Sequence, residues 1–145
     1  MKTVQQLLQS KGTEIWSVDP DTTVYEALTM MAQKNVGALL VIKEDQLAGI
    51  ISERDYARKV ILQDKSSMTV PVREIMTSRV FCVNPDTSIE ECMALMTDKR
   101  IRHLPVLADD AVAGVVSIGD VVKAIISERE FMIEQLQNYI LAGGT

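Results

Sequence analysis

Histidine is nearly missing from this chain: His103 is the only one in 145 residues, and cysteine occurs only at Cys82 and Cys92. A single imidazole with no HxxxH or HxE spacing does not make a metal site, and the cysteines fit no CxxC or zinc pattern. They read as reduced cysteines, one on a strand and one on a helix, and no metal is needed for the fold. An excess of basic residues is also lacking. Lys and Arg number 15 against 20 Asp and Glu, giving a net charge of −5 and a pI near 4.9. That excludes the broad basic face expected of a DNA- or RNA-binding surface. No apolar run approaches the roughly 20 residues of a membrane span. The opening MKTVQQLLQSKG, with its glutamine-broken apolar stretch, does not read as a secretion signal. The expectation is a cytoplasmic protein with no nucleic-acid or membrane partner.

What is present is a balance of 47% hydrophobic and 24% charged residues, the mixture of a globular domain. A chain of this length buries roughly 70% of the surface its unfolded form exposes, so neither a metal nor a disulfide is required for stability. Basic residues cluster locally (Arg54, Arg58, Lys59; Lys99, Arg100, Arg102), and a small anion needs no more than that.

The chain repeats itself. Residues 15–60 laid over residues 80–125 without a gap give fourteen identities in forty-six positions, among them Pro20, Asp21, Thr22, Glu26, Lys34, Gly49, Ser52 and Asp55. Conservative pairs such as Trp16 with Phe81 and Val36 with Ile101 fill many of the others. Each copy runs from a short strand (IWSV, VFCV) into PDTT or PDTS, whose hydroxyls cap a helix. Val24, Ala27, Leu28 and Met31 form the apolar face of the first such helix; Ile89, Cys92, Met93 and Met96 form that of the second. The helices end near Asn35 and Arg100. Two β-branched runs follow, separated by the acidic turns KEDQ and ADDA, so that Asp109 and Asp110 are solvated turn residues. A second helix then starts at a Ser-x-x-Asp turn.

The predicted class is therefore α/β: two β-α-β-β-α units, each with a mixed sheet reached by a right-handed crossover, packed about a pseudo-twofold axis. The expected divisions are residues 1–66 (first repeat with an N-terminal helical turn), 67–126 (second repeat) and 127–145 (a C-terminal helical extension). The linker holds a helical turn at VREIM. The apolar spacing of Ile125, Met132, Ile133, Leu136 and Ile140 outruns the matching helix of the first copy, so that helix has a sheet or another subunit to cover.

The chemistry concentrates at GIISERD and GVVSIGD. A serine at a strand end, followed by a helix start, presents backbone N–H groups at the positive end of a dipole, a place that suits a phosphate. An aspartate three residues on can accept two strong hydrogen bonds from neighbouring hydroxyls. The same spacing is also that of a capping box, in which serine caps forward and the acid caps back. Taken alone, one copy leaves both readings open. A Ser117–His103–Asp120 hydrolytic triad lacks a placed base and an oxyanion hole. Pro105 interrupts the ladder of its strand, which predicts an edge or a position left open for a ligand.

The duplicated frame with G-h-h-S-x-x-D closing each copy, and RHLPV in the second, resembles a tandem cystathionine-β-synthase-type (CBS) domain pair, or Bateman module, over residues 4–126. The resemblance implies a non-catalytic regulatory module that binds an adenine nucleotide (AMP, ADP, ATP or NAD) or S-adenosylmethionine in clefts between the copies. It also implies a homodimer, with a regulated protein as a further partner; the competing reading is a ligand-independent interaction module. By the same resemblance Asp55 and Asp120 take ribose, while Ser52, Arg54, Arg58, Ser117, Arg102 and Lys123 take phosphate. The adenine walls are Ile15, Trp16, Val36, Gly37 and Ala38 on one side, and Val80, Ile101, His103, Leu104, Pro105 and Ile118 on the other. Gly119 stands where the first copy has Arg54, so the two clefts are expected to differ in affinity.

Overall fold

The computed structural model describes residues 2–142. In chain order the elements are α1 (Val4–Lys11), β1 (Ser17–Val18), α2 (Val24–Lys34), β2 (Ala38–Lys43), β3 (Gln46–Ser52) and α3 (Glu53–Lys59). After a 3-10 turn at Ile61–Gln63 come α4 (Val72–Ile75), α5 (Ile89–Lys99), β4 (His103–Ala108), β5 (Ala111–Ser117) and α6 (Ile118–Leu141). The α/β class and the duplication are both present.

Local chemistry explains the boundaries. Thr23 and Ser88 cap α2 and α5 by accepting the N–H of Glu26 and Glu91. Asn35 and Arg100 end the same helices in the left-handed conformation, at φ 56° and 55°. Both hairpins close through two-residue turns with positive φ, Glu44–Asp45 and Asp109–Asp110, as short hairpin turns that match strand twist require.

The first repeat has the expected mixed sheet, β1 parallel to β2 and β2 antiparallel to β3. The second repeat does not. Its sheet holds only β4 and β5, and the segment expected as its first strand is reduced to one parallel bridge, Val83 with Val106. Pro105 is the reason. At the equivalent place Leu40 donates its N–H to Trp16 O at 3.2 Å, and proline has no N–H to donate to Phe81. Pro105 therefore lies neither on an open edge nor beside an empty strand position: it is buried between β5 and the Val83 bridge.

Core membership cuts across the expected divisions. Val4, Leu7 and Leu8 of α1 lie in the core of the second repeat with Val83, Ile89, Cys92, Met96, Leu104 and Val116. Val70, Val72 and Ile75 of the linker lie in the core of the first, with Val24, Ala27, Met31, Leu39 and Ile51. The N-terminal helical turn grouped with residues 1–66 thus packs against the other repeat. The exchange is reciprocal: Thr3 bridges Ser88 and Thr23 bridges Pro71. Each segment that precedes a repeat covers its sister, as two halves related by a pseudo-twofold axis would have it.

The exchange also accounts for the repeated glycines. A Cβ on Gly49 would stand 2.7 Å from Thr77 O, and one on Gly114 2.8 Å from Leu8 Cδ2. Gly49 and Gly114 are needed for close packing of the exchanged segments, not for turn geometry.

Candidate functional site

The alternation of strands sorts side chains between the core and the opposite face of each sheet. In β2, Leu39 and Val41 enter the first core and Leu40 faces the other way. In β4, Leu104 and Val106 enter the second core, while His103 and Pro105 face away from it. Leu104 is fully buried. The side chain expected on an adenine wall is thus committed to the second core, with His103 and Pro105 on the opposite face of β4.

Both Ser-x-x-Asp turns form complete capping boxes. Ser52 Oγ accepts the Asp55 N–H at 3.2 Å, and Asp55 Oδ2 accepts the Ser52 N–H at 3.0 Å and its hydroxyl at 3.1 Å. Ser117 Oγ accepts the Asp120 N–H at 3.1 Å, and Asp120 Oδ2 the Ser117 N–H at 2.9 Å. The first helical N–H is also engaged: Glu53 donates to Gly37 O at 3.1 Å and Ile118 to Arg102 O at 2.8 Å. The expected cluster of open N–H groups thus shrinks to those of Arg54 and Gly119.

The start of α3 nevertheless meets the opposite repeat. Arg54 Nη1 reaches Arg100 O, at the C-terminal end of α5, across 3.4 Å. This contact puts the first turn of α3 at the seam between the copies. Gly37 and Ala38 flank that turn, with Ala38 opposite Ser52 in the ladder, and His103 stands opposite Ser117 in the second copy. Ile118 is just exposed at the start of α6. Arg58, Arg102 and Lys123 are exposed and form no ion pair among the described residues.

Other expected wall residues are drawn elsewhere. Val36 and Ile101 pack against their own cores. Trp16 packs on the first core with the Lys34 ammonium 4.3 Å from its ring centre, a pairing echoed by Lys99 over Phe81 at 5.2 Å. Ile15 is half-buried just before β1. The open recesses among the described residues include two near the second repeat. One, of about 520 Å³, lies among Cys82, Val83, Asn84, Thr87, Glu91, Leu95 and Leu107. The other, of about 400 Å³, joins Gln46 and Leu47 to Ser78, Val80, Cys82, Leu107 and Asp110. Of the expected site residues only Val80 lines either.

Lys11 is the residue that sequence reasoning missed. At the end of α1 it donates to Asp120 Oδ2 at 2.6 Å and to Val115 O at 2.8 Å. In the first repeat Asp55 instead pairs at 3.3 Å with Lys59, one turn along its own helix. Position 124, equivalent to Lys59, is alanine, so the second carboxylate takes its cation from a remote segment. Only the reciprocal exchange of segments brings Lys11 there, and a linear repeat alignment does not contain that signal.

The electrostatics follow. Burial by itself would raise the Asp120 carboxyl, but hydrogen bonds from Lys11 and Ser117 and the Lys11 charge hold it below the usual carboxylate range. His103 is pushed down by burial, against the pull of Asp120 and with the push of Lys11 and Arg102. It is thus biased toward neutral imidazole. Cys92 is pushed up to about 11 by burial and by Glu91 and Glu90, and Cys82 is raised by burial. Both are free thiols of low reactivity. Among the described residues no group of His, Cys, Asp and Glu is arranged to hold a metal, and no helix is long and apolar enough to cross a membrane.

The pattern of the CBS domain family matches the chain twice, over residues 11–62 and 72–127. The chain belongs to the CBS domain family. Among curated relatives of this CBS pair, the mitochondrial CBS domain-containing protein CBSX3 of Arabidopsis thaliana is 44% identical over 97% of this chain and 73% of its own. A putative signal-transduction protein with CBS domains from Burkholderia ambifaria superposes with a TM-score of 0.85 at 51% identity, covering 87% of this chain and 95% of its own. The CBS pair of MJ0100, solved with 5′-methylthioadenosine and S-adenosyl-L-methionine, shares the fold with a TM-score of 0.78 at 24% identity, over 88% and 98%. A CBS pair is a regulatory module, and its two copies span residues 11–62 and 72–127 of this chain.

Proposed function

We propose that this CBS pair is a sensor of adenosine-containing ligands, namely AMP, ADP, ATP, NAD or S-adenosylmethionine, held in the clefts between its repeats. Occupancy is passed on through a homodimer or a regulated protein partner. The observation that carries the reading is the Arg54–Arg100 contact, because it sets a helix start and its carboxylate against the opposite repeat. Asp55 and Asp120 are the ribose acceptors, each releasing its lysine partner as sugar hydroxyls replace it. Arg54, with Arg58 near it, supplies phosphate charge in the first cleft. In the second, Arg102, Lys123 and the freed Lys11 do so around the open N–H of Gly119. Ala38 and His103 face the base. The adenosine ligands of MJ0100 occupy a module of the same fold, which supports the ligand class without fixing the ligand.

A second reading, a ligand-independent interaction module, is favoured by the completeness of the two capping boxes, which leave the serine and aspartate groups satisfied without a ligand. A thermal-shift panel of the five ligands separates the two. A ligand at 100 times its dissociation constant stabilises by about 2.7 kcal/mol, which for a chain of this size raises Tm by about 5–10 °C. A panel that stays flat at millimolar concentrations supports the interaction module instead.

A further inference from the structure

Only the first two turns of α6 are packed. Val121 and Ala124 are its buried residues, and Ile125 leans on the same core. From Arg129 onward every described residue is exposed. The helix nevertheless continues, carrying Val122, Ile126, Ile133, Leu136 and Ile140 at exposures of 40%, 51%, 55%, 62% and 69%. A helical shaft of this length is marginal in water without a packing partner.

The stripe has an ordered period. Ile126, Ile133 and Ile140 recur every seven residues, and Val122, Arg129 and Leu136 recur between them at the same interval. This is a heptad seam, apolar except at Arg129, with the spacing at which two helices pack knobs into holes. It lies to one side of the face that Val121 and Ala124 bury, so both contacts are available to one helix.

We propose that a second copy of this chain covers the seam, with the two α6 helices antiparallel and crossing near residue 131. In that register Val122 packs on Ile140 and Ile126 on Leu136 of the second copy, and each Arg129 lies against Ile133 rather than against another arginine. A parallel pairing would stack Arg129 on Arg129 and desolvate two like charges. The flanking positions favour the same direction. Ile125 and Met132 border one side of the seam, and Lys123, Glu130 and Gln137 the other. Antiparallel helices set the apolar border against itself and the polar border against itself, whereas parallel helices would oppose Met132 to Gln137. The two Glu130 carboxylates then lie beside the two Arg129 guanidiniums, which offset their repulsion. From Val122 to Ile140 the seam is about 28 Å long, and pairing it buries roughly 1,200 Å² in all, enough for a specific interface at the small end of the range. Phe131 lies off the seam.

Sedimentation equilibrium on the full chain tests this. The double variant Ile133→Glu, Leu136→Glu is expected to show half the wild-type mass at the same concentration while its Tm by circular dichroism stays close to that of the dissociated wild type, since neither side chain touches a core. An unchanged mass, or a wild type already monomeric at tens of micromolar, overturns the proposal. Direction is read by cysteine crosslinking with peptide mapping. Met132→Cys is expected to form a 132–132 disulfide between chains and Ile140→Cys is not; a 140–140 crosslink contradicts the antiparallel arrangement.

Discussion

The two repeats satisfy the same aspartate by different means, and that difference shows what duplication leaves free to diverge. In the first repeat the cation for Asp55 is Lys59, four residues away on one helix. In the second it is Lys11, which reaches Asp120 across 109 positions of sequence. The first ion pair lies within one helix, although Lys59 also donates to Ile75 O of α4 at 2.9 Å. The second requires α1 to be docked on the second core. Any ligand that displaces Lys11 from Asp120 therefore loosens the end of α1, whereas displacing Lys59 from Asp55 disturbs α3 and its hydrogen bond to Ile75 O of α4.

The comparison breaks most severely at the exchanged segments. Leu7→Ala removes a buried side chain of α1 from the second core and is expected to cost about 2–4 kcal/mol, read by urea unfolding. Ile75→Ala, its counterpart in the first core, should cost a similar amount. A value under 1 kcal/mol for either would mean that the exchanged segment is not part of that core. Next come the glycines. Gly49→Ala drives a methyl into the Thr77 carbonyl oxygen, which belongs to a paired backbone, and is expected to cost about 2–3 kcal/mol. Gly114→Ala meets the flexible end of Leu8 and should cost about 1 kcal/mol. Equal penalties would show that the two close approaches are equivalent after all.

The smallest effect is one of pH. The folded His103 binds its proton less readily than the unfolded chain does. Its contribution to stability is complete above the ordinary histidine value near 6.5 and declines as pH falls below it. Asp120, held low, contributes above the ordinary carboxylate value near 3.8 and loses that contribution as pH drops further. His103→Gln should flatten the stability profile as pH falls below the ordinary histidine value near 6.5. Lys11→Met should instead weaken the dependence below about pH 4, with a loss of about 1 kcal/mol at neutral pH for a half-exposed ion pair. Chemical denaturation across that range checks both.

Much of the fold was legible because its determinants are local. The capping residues Thr23, Ser88, Ser52 and Ser117, the helix ends at Asn35 and Arg100 and the acidic hairpin turns each act within four residues. The duplication then fixed the β-α-β-β-α order. What escaped depended on distance or phase. The side of the sheet that receives Leu104 depends on a register that a run such as HLPVL does not disclose, and Pro105 interrupts pairing with a strand that lies twenty-two positions away. That α1 packs on the second core is a tertiary choice, and the role of Lys11 follows from it alone. In the candidate site the serine–aspartate turns were readable as chemistry with two meanings, and the folded chain makes the caps without excluding ligand.

Isothermal titration of the wild type with the five adenosine ligands, repeated on Asp55→Ala and Asp120→Ala, tests the central claim most directly. The account predicts saturable binding of at least one ligand to the wild type, with each substitution weakening a different site and the Asp120 site alone responding to Lys11→Met. Wild-type binding that neither aspartate substitution alters, or no binding of any of the five at millimolar concentration, would contradict it.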